Sequence, residues 1–474
     1  MTNIHEITPN APFDLIVIGA GSAGFSAAIT AADAGKRVAL VGYGTIGGTC
    51  VNVGCVPSKF MIRAAETLHG AKVASRFAGI NASGAITDWA ALVQAKRDLV
   101  GALRQKKYAD ILPQYSGITY LEGAARLEGE NVRVGARLLA APTILIATGG
   151  HPFTAAIEGI AEVETLDSTS LLEMDTLPDS LTVLGGGYIG VELAQVMARL
   201  GVKVTVICRS RLLPECEPEV SEALAEAFRT EGIALESGIT YDACRQTADG
   251  VSVAIRRGDD RLEITSQKLF VATGRRANTD GMGLKEAGVA LDQSGSIKVN
   301  DEMQTSKPGI YAAGDVTDRD QFVYMAAFGA KVAINNALGL TPMRYDNMTM
   351  PWVVFSDPQV AGVGLSEAQA LAAGYEVKTS VLGLENVPRA LAAMDTRGLI
   401  KLVADVKTDR LLGGSIIAPE GSDTIQTLAM ALKFSMTTKA LGETIFPYLT
   451  TVEGLKLAAQ TFEIDVAKLS CCAG

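Results

Sequence analysis

Two stretches of this chain share one order of residue types: an apolar run rich in β-branched residues, a cluster of glycines, an alanine-rich helical run and a second apolar run. The first is FDLIVIGAGSAGFSAAITAADAGKRVALV and the second is SLTVLGGGYIGVELAQVMARLGVKVTVI. Each reads as strand, tight turn, helix, strand, which is a βαβ unit. Each carries G-x-G-x-x-G at the turn: Gly19, Gly21 and Gly24 in the first, Gly185, Gly187 and Gly190 in the second. In such a loop the first glycine makes the turn. The second lets the backbone approach a pyrophosphate at the helix N-terminus, and the third lets the helix lie close to the strand. A single motif says little, but two in this context predict two dinucleotide sites and an α/β fold built on two Rossmann-like domains.

Each unit is followed later by an apolar strand ending in Ala-Thr-Gly, TILIATGG over 143–150 and LFVATGRR over 269–276. A further strand, in TSKPGIYAAGDV, ends at Gly314 and Asp315. From about residue 346 the pattern changes to alternating apolar strands mixed with helical runs, which predicts a separate α+β domain. The expected division is therefore 1–150 with 275–345 as the first dinucleotide domain, 151–274 as the second, and 346–474 as the third. The net charge of −10 argues against nucleic acid or an anionic membrane as the main partner. The most apolar run, LIVIGAGSAGFSAAITAADAG, is broken by glycines and Asp33, so no membrane span is expected. MTNIHEITPN has no basic-then-apolar signal, and the cytoplasm is the expected location.

Between the first βαβ unit and its next helix lies GGTCVNVGCVPSK. Cys50 and Cys55 have four residues between them and no second pair nearby, which is not the pattern of a zinc site. The helical run SKFMIRAAETLHG puts Cys55 near a helix N-terminus, where the dipole favours thiolate. A thiol pair so placed, beside a dinucleotide site, suits a redox-active disulfide.

GGTCVNVGCVPSK resembles the redox motif of the flavin-dependent pyridine nucleotide–disulfide oxidoreductases, and the resemblance runs from about residue 12 onward. It implies that the first glycine loop binds FAD, the second binds NADPH, and residues 346–474 form a dimerisation domain. Gly48, Thr49, Thr148, Gly149 and Gly274 fall in motifs that contact the cofactors, and Asp315 matches the residue that holds the flavin ribitol. Lys59 and Glu192 match a Lys–Glu pair beside the flavin, and Tyr188 matches the tyrosine covering the nicotinamide pocket. Cys55 matches the thiol against the flavin, and Cys50 the thiol that meets substrate.

Disulfide reductases of this family need a C-terminal His, paired with a Glu, as proton shuttle; imidazole suits the task because its pKa lies near working pH. This chain has three histidines, His5, His69 and His151, none of them C-terminal. At the matching place FPYLTTVEGLK has Tyr448, while Glu453 is kept. A phenol, with a pKa of about 10, is a poor shuttle for thiol protons. The segments FPYLT, VEGLKLAAQTF and LSCCAG resemble the mercuric reductases, one branch of that family. The branch implies Hg(II) as substrate, with Cys50, Cys55, Cys471 and Cys472 as metal ligands and Tyr108 and Tyr448 beside the inner site. Thiolate is a soft ligand and selects soft metals. In a homodimer with shared active sites, Cys471 and Cys472 would pass the metal to the partner subunit's Cys50 and Cys55.

Two departures matter. The strand that should end in an acid for the adenosine ribose of FAD ends in Gly42, leaving a weaker hold, a water or another residue to replace it. In the second unit that place is Cys208, followed by Arg209 and Arg211, which favours the 2′-phosphate of NADPH. The alternatives are a disulfide reductase, which the missing His disfavours, and a non-catalytic thiol metal chaperone. The intact set of Cys50, Cys55, Lys59, Glu192 and Asp315 disfavours the chaperone.

Overall fold

The computed structural model describes residues 13–469. The chain divides into two compact units. Unit one takes the residues up to Pro57, Val93–Phe153 and Arg275–Asp346; unit two takes Ser58–Leu92, Thr154–Gly274 and the residues from Asn347.

Unit one is built on a five-stranded parallel sheet in the order Ile310–Ala312, Thr143–Ile146, Leu15–Ile18, Val38–Gly42, Ile118–Glu122. The strands Thr143–Ile146, Leu15–Ile18 and Val38–Gly42 read as near-unbroken apolar runs because both faces are covered. Leu15, Ile16, Val17, Val38, Ala39 and Leu40 are fully buried. The registers Leu15↔Val38 and Leu15↔Thr143 make Leu15–Ile18 the central strand. The chain leaves it through Gly19 into the helix Ser22–Asp33, so the first glycine loop sits at the carboxyl end of the sheet, where α/β folds bind ligands. That helix packs along Val323–Ala337, tied by the Ser26 hydroxyl to the Ala327 carbonyl at 2.9 Å.

Unit two holds a second parallel sheet in the order Ala234–Ser237, Lys203–Cys208, Ser180–Leu184, Lys268–Val271, Thr165–Leu166. The central strand again feeds a glycine loop and a helix, Tyr188–Arg199. The same unit contains the C-terminal antiparallel sheet, ordered Trp352–Val354, Gln359–Gly364, Leu411–Ala418, Leu399–Asp405, Val377–Gly383. The fold class is therefore the expected one: α/β, with two dinucleotide-type sheets and an α+β C-terminal part. The segment Ser58–Leu92 groups with unit two, because Met61, Ile62 and Ala65 enter the core formed by Val191, Val196 and Phe270. No helix among the described residues is long and apolar enough to cross a membrane.

Unit two is also held by an internal charge network. Arg199 grips Glu231 with two nitrogens, at 2.6 and 2.8 Å, and reaches Asp357 at 2.9 Å. Arg397 bridges Asp357 at 3.1 Å and Asp395 at 2.8 Å. His69 lies 3.8 Å from Glu231. Burial, then the Arg199 charge, pushes His69 below its ordinary 6.5 despite the pull of Glu231 and Asp357. Between the lowered folded value and 6.5 the unfolded chain binds more protons, so stability rises with pH there and is lost as pH falls through that window. The thermal midpoint should drop between pH 7.5 and 5.5, and His69→Gln should make that drop smaller. Parallel curves for the two proteins would show that His69 does not titrate across unfolding.

Candidate functional site

The first glycine loop is shaped by backbone contacts that leave no room for side chains. Gly19 sits at φ +119°, and a Cβ there would fall 2.5 Å from the Ala147 carbonyl carbon. A Cβ on Gly24 would lie 2.9 Å from the Gly19 carbonyl carbon. Gly21 caps the helix without any side-chain partner, so the first turn keeps its N–H groups for a ligand. This cradle fits a pyrophosphate.

The cysteine turn is pressed onto this loop. Gly47 and Gly48 have φ of +101° and +68°, and the Gly47 N–H donates to the Ala20 carbonyl at 2.9 Å. A Cβ on Gly48 would lie 2.7 Å from the Gly21 Cα. Cys50 then falls in the short helix Gly48–Asn52, and Cys55 is the first residue of the helix Cys55–Lys72. The helix dipole favours negative charge at that first position. Both thiols are half-buried.

Tyr108, on the π-helical turn Gln105–Ala109, packs against Gly47 and sets its ring edge-on to Phe25 with centroids 4.8 Å apart. Its hydroxyl lies 3.4 Å from the Ser22 hydroxyl. Burial raises the phenol above its usual value, and nearby Cys50 and Cys55 raise it further against the Ser22 hydrogen bond. Tyr108 therefore stays a neutral phenol in the electrostatic neighbourhood of the two sulfurs. The sequence reading missed a second such phenol: Tyr324 is raised by burial, then by Asp320 and Cys55. Its signal was only an aromatic residue shortly after the GDV turn, on the helix Val323–Ala337. Asp315 is raised by burial, against the pull of Arg275, whose guanidinium lies 3.8 Å away. The Thr148 hydroxyl is committed to the Asn278 carbonyl at 2.7 Å, while Gly149 has φ +70° and open space on its Cβ side.

In unit two, Gly185 and Gly190 repeat the close approach to a neighbouring backbone, and a Cβ on Gly187 would face open space. Glu192, 6% exposed, accepts the Lys59 ammonium at 2.7 Å and the Phe355 N–H at 2.9 Å. Lys59 also lies 4.7 Å over the Phe355 ring. Tyr188, first in its helix, stacks at a tilt on Trp352, with centroids 5.9 Å apart. Gly274 has φ +136° beside open space. At the end of the strand Lys203–Cys208, burial pushes the Cys208 thiol up to about 11, so it offers no negative charge. Arg209 is exposed, while Arg211 donates to the Pro214 and Cys216 carbonyls at 3.0 and 2.8 Å.

Tyr448 is 57% exposed on the turn before the helix Glu453–Gln460. Buried Glu453 accepts the Leu449 N–H at 3.2 Å, so the carboxylate holds the backbone of the turn that carries Tyr448. Cys471 and Cys472 lie outside the described residues.

Residues 13–334 match the family described as pyridine nucleotide-disulphide oxidoreductase, and residues 350–459 match its dimerisation domain. The chain is 43% identical over 474 residues to the mercuric reductase of Staphylococcus aureus, covering 100% of this chain and 86% of that protein. It is 44% identical over 468 residues to the mercuric reductase of Streptomyces lividans, covering 98% of each. Among solved structures, the Cu(II) complex of the HOCl-induced flavoprotein disulfide reductase RclA from Escherichia coli superposes with a TM-score of 0.84. That pair is 28% identical, with 95% of this chain and 100% of that chain covered. LpdA from Mycobacterium tuberculosis gives 0.82 at 26% identity, again covering 95% and 100%. A cysteine turn seated on the first of two glycine loops and two family matches in sequence along the chain lead to one conclusion: this protein belongs to the pyridine nucleotide-disulphide oxidoreductase family.

Proposed function

We propose that this protein reduces thiol-bound Hg(II) to Hg(0) at the expense of NADPH, as a cytoplasmic homodimer. Beyond the relatives' names, the observation that carries this over disulfide reduction is the state of the C-terminal turn. Glu453, the partner a shuttle His would need, is engaged with the Leu449 N–H, and an exposed phenol stands in the His position. Among the described residues that turn carries no imidazole to shuttle thiol protons, and a metal-bound thiolate pair needs no such shuttle.

When bound, FAD and the nicotinamide supply electron pairs, taken as hydride from NADPH. The cradle of Gly19, Gly21 and Gly24 would hold the FAD pyrophosphate, with Asp315 as the buried acceptor for its ribitol. The Gly185–Gly190 loop would hold NADPH, with Tyr188 resting on Trp352 as a cover. Lys59, fixed by Glu192 and Phe355, supplies a positive charge one helical turn on from Cys55.

Two electrons and two protons convert the Cys50–Cys55 disulfide to a dithiol. Hg(II) displaces both protons and is held by two thiolates, which suits a soft cation. Tyr108 stays protonated beside these sulfurs and can donate to one of them. A second electron pair goes to the metal, Hg(II) becomes Hg(0), and the neutral atom has no charge to bind it to the thiolates. Cys471 and Cys472 are the proposed capturing pair, handing Hg(II) by ligand exchange to the partner subunit's Cys50 and Cys55.

Cys50→Ala and Cys55→Ala should each abolish Hg(II)-dependent NADPH oxidation while NADPH still bleaches the bound flavin. Substantial mercury turnover by Cys55→Ala would remove the pair from the metal step. The cofactor preference should rest on Arg209 more than on Arg211, whose guanidinium is taken by two carbonyls. Losing a charge-assisted contact worth about 1.5–3 kcal/mol should cut kcat/KM for NADPH by roughly 10- to 100-fold in Arg209→Ala and spare NADH. An unchanged NADPH/NADH ratio in that variant would assign the 2′-phosphate to another group.

A further inference from the structure

The missing acid at Gly42 has a physical explanation in unit one. Gly42 ends the second strand of the first βαβ unit, and it is absent from the residues with positive φ, so its backbone conformation does not require glycine. What requires glycine is the space. A Cβ at residue 42 would collide with the ring of Tyr120, lying 2.8 Å from Cε2, with the hydroxyl oxygen nearer still. Tyr120 sits on the neighbouring strand Ile118–Glu122, in register with Leu40, while Gly42 is in register with Glu122. Period-two alternation therefore puts Tyr120 on the same face as Gly42, one diagonal step away. The phenol leans across the strand end into the volume that an acidic side chain at residue 42 would fill.

Its chemistry suits that place. An acid at the end of this strand serves to bind the hydroxyls of a ribose. A phenol hydroxyl both donates and accepts, which matches one hydroxyl of a vicinal diol. Among the described residues Tyr120 has no side-chain hydrogen-bond partner, and Glu122 has no ion-pair or side-chain hydrogen-bond partner. Burial, then the neighbouring Glu122 carboxylate, raises the Tyr120 phenol, so it stays protonated at neutral pH. A tyrosine used only for packing needs its ring and not its hydroxyl, or ties the hydroxyl off internally. Tyr241 does the latter, donating to the Ile207 carbonyl at 2.9 Å. We infer that Tyr120, supported by Glu122, binds the adenosine ribose of FAD in place of the acid that this strand end lacks. The inference rests on the reading that the first glycine loop takes FAD.

The test is flavin affinity in the full-length chain, measured by equilibrium dialysis with FAD, with FMN, and with an FAD analogue whose adenosine carries a 2′,3′-dideoxyribose. Tyr120→Phe removes one oxygen and keeps the packing. It should weaken FAD binding about 3- to 10-fold, the range for one hydrogen bond. It should leave FMN and the dideoxy analogue unchanged, since neither offers the ribose hydroxyls. Glu122→Gln should shift FAD affinity in the same direction by less. Gly42→Glu should be poorly tolerated alone, and combined with Tyr120→Ala it should bind FAD more tightly than Tyr120→Ala does. Wild-type FAD affinity in Tyr120→Phe would overturn the inference, as would equal losses for FAD, FMN and the analogue. If the unaltered chain retains no FAD, the cofactor reading itself fails.

Discussion

The contact on which this site depends is backbone against backbone. Gly48 lies so close to Gly21 that a Cβ on it would come within 2.7 Å of the Gly21 Cα, and Gly19 and Gly24 are as tightly confined. A side chain at any of these positions forces the loops apart, at a cost of about 1–3 kcal/mol for overpacking. The geometric consequence is larger than the energetic one. The cysteine turn is held against the first glycine loop, so the placement of Cys50 and Cys55 beside that loop is set by main chain alone. Main-chain placement is stiff, and a reaction between a bound dinucleotide and a sulfur needs that stiffness.

Unit two solves a different problem, a buried carboxylate. Glu192 would be costly inside a helix packed in the core, and it is made tolerable by the Lys59 ammonium and the Phe355 N–H. Lys59 is held in one place between an anion and an aromatic face, and the start of the C-terminal sheet is pinned to the second glycine helix. The Tyr188–Trp352 contact joins the same two elements. The network of Arg199, Glu231, Asp357 and Arg397 repeats the arrangement at the other end of that helix. Removing one partner from such a network strands a buried charge, which typically costs 3–5 kcal/mol.

The strands, both glycine loops and the cysteine turn were legible in the sequence because their signals are local: apolar runs, fixed glycine spacing, four residues between thiols. The features that were not legible depend on contacts between distant segments. Ser58–Leu92 joins unit two because of side chains it meets more than a hundred residues later, Val191 and Phe270 among them. Arg211 looked equivalent to Arg209 until the loop carbonyls of Pro214 and Cys216 claimed it. Gly42 read as a gap, because nothing in its own strand announces that Tyr120, 78 residues away, fills the space. Tyr324 carried no motif, yet it shares the surroundings of Cys55. Sequence reveals a site where one segment builds it, and falls short where two segments share it.

On the proposed mechanism, electrons drawn through the Cys50–Cys55 pair end on a metal and not on a substrate sulfur. The direct measurement is stoichiometric: anaerobic protein, limiting NADPH, Hg(II) held by excess small thiol, and mercury vapour collected as it leaves. One Hg(0) should be released for each NADPH oxidised, with oxidised glutathione and lipoamide consuming NADPH far more slowly. NADPH oxidised without mercury vapour, or disulfides reduced as fast as Hg(II), would contradict it.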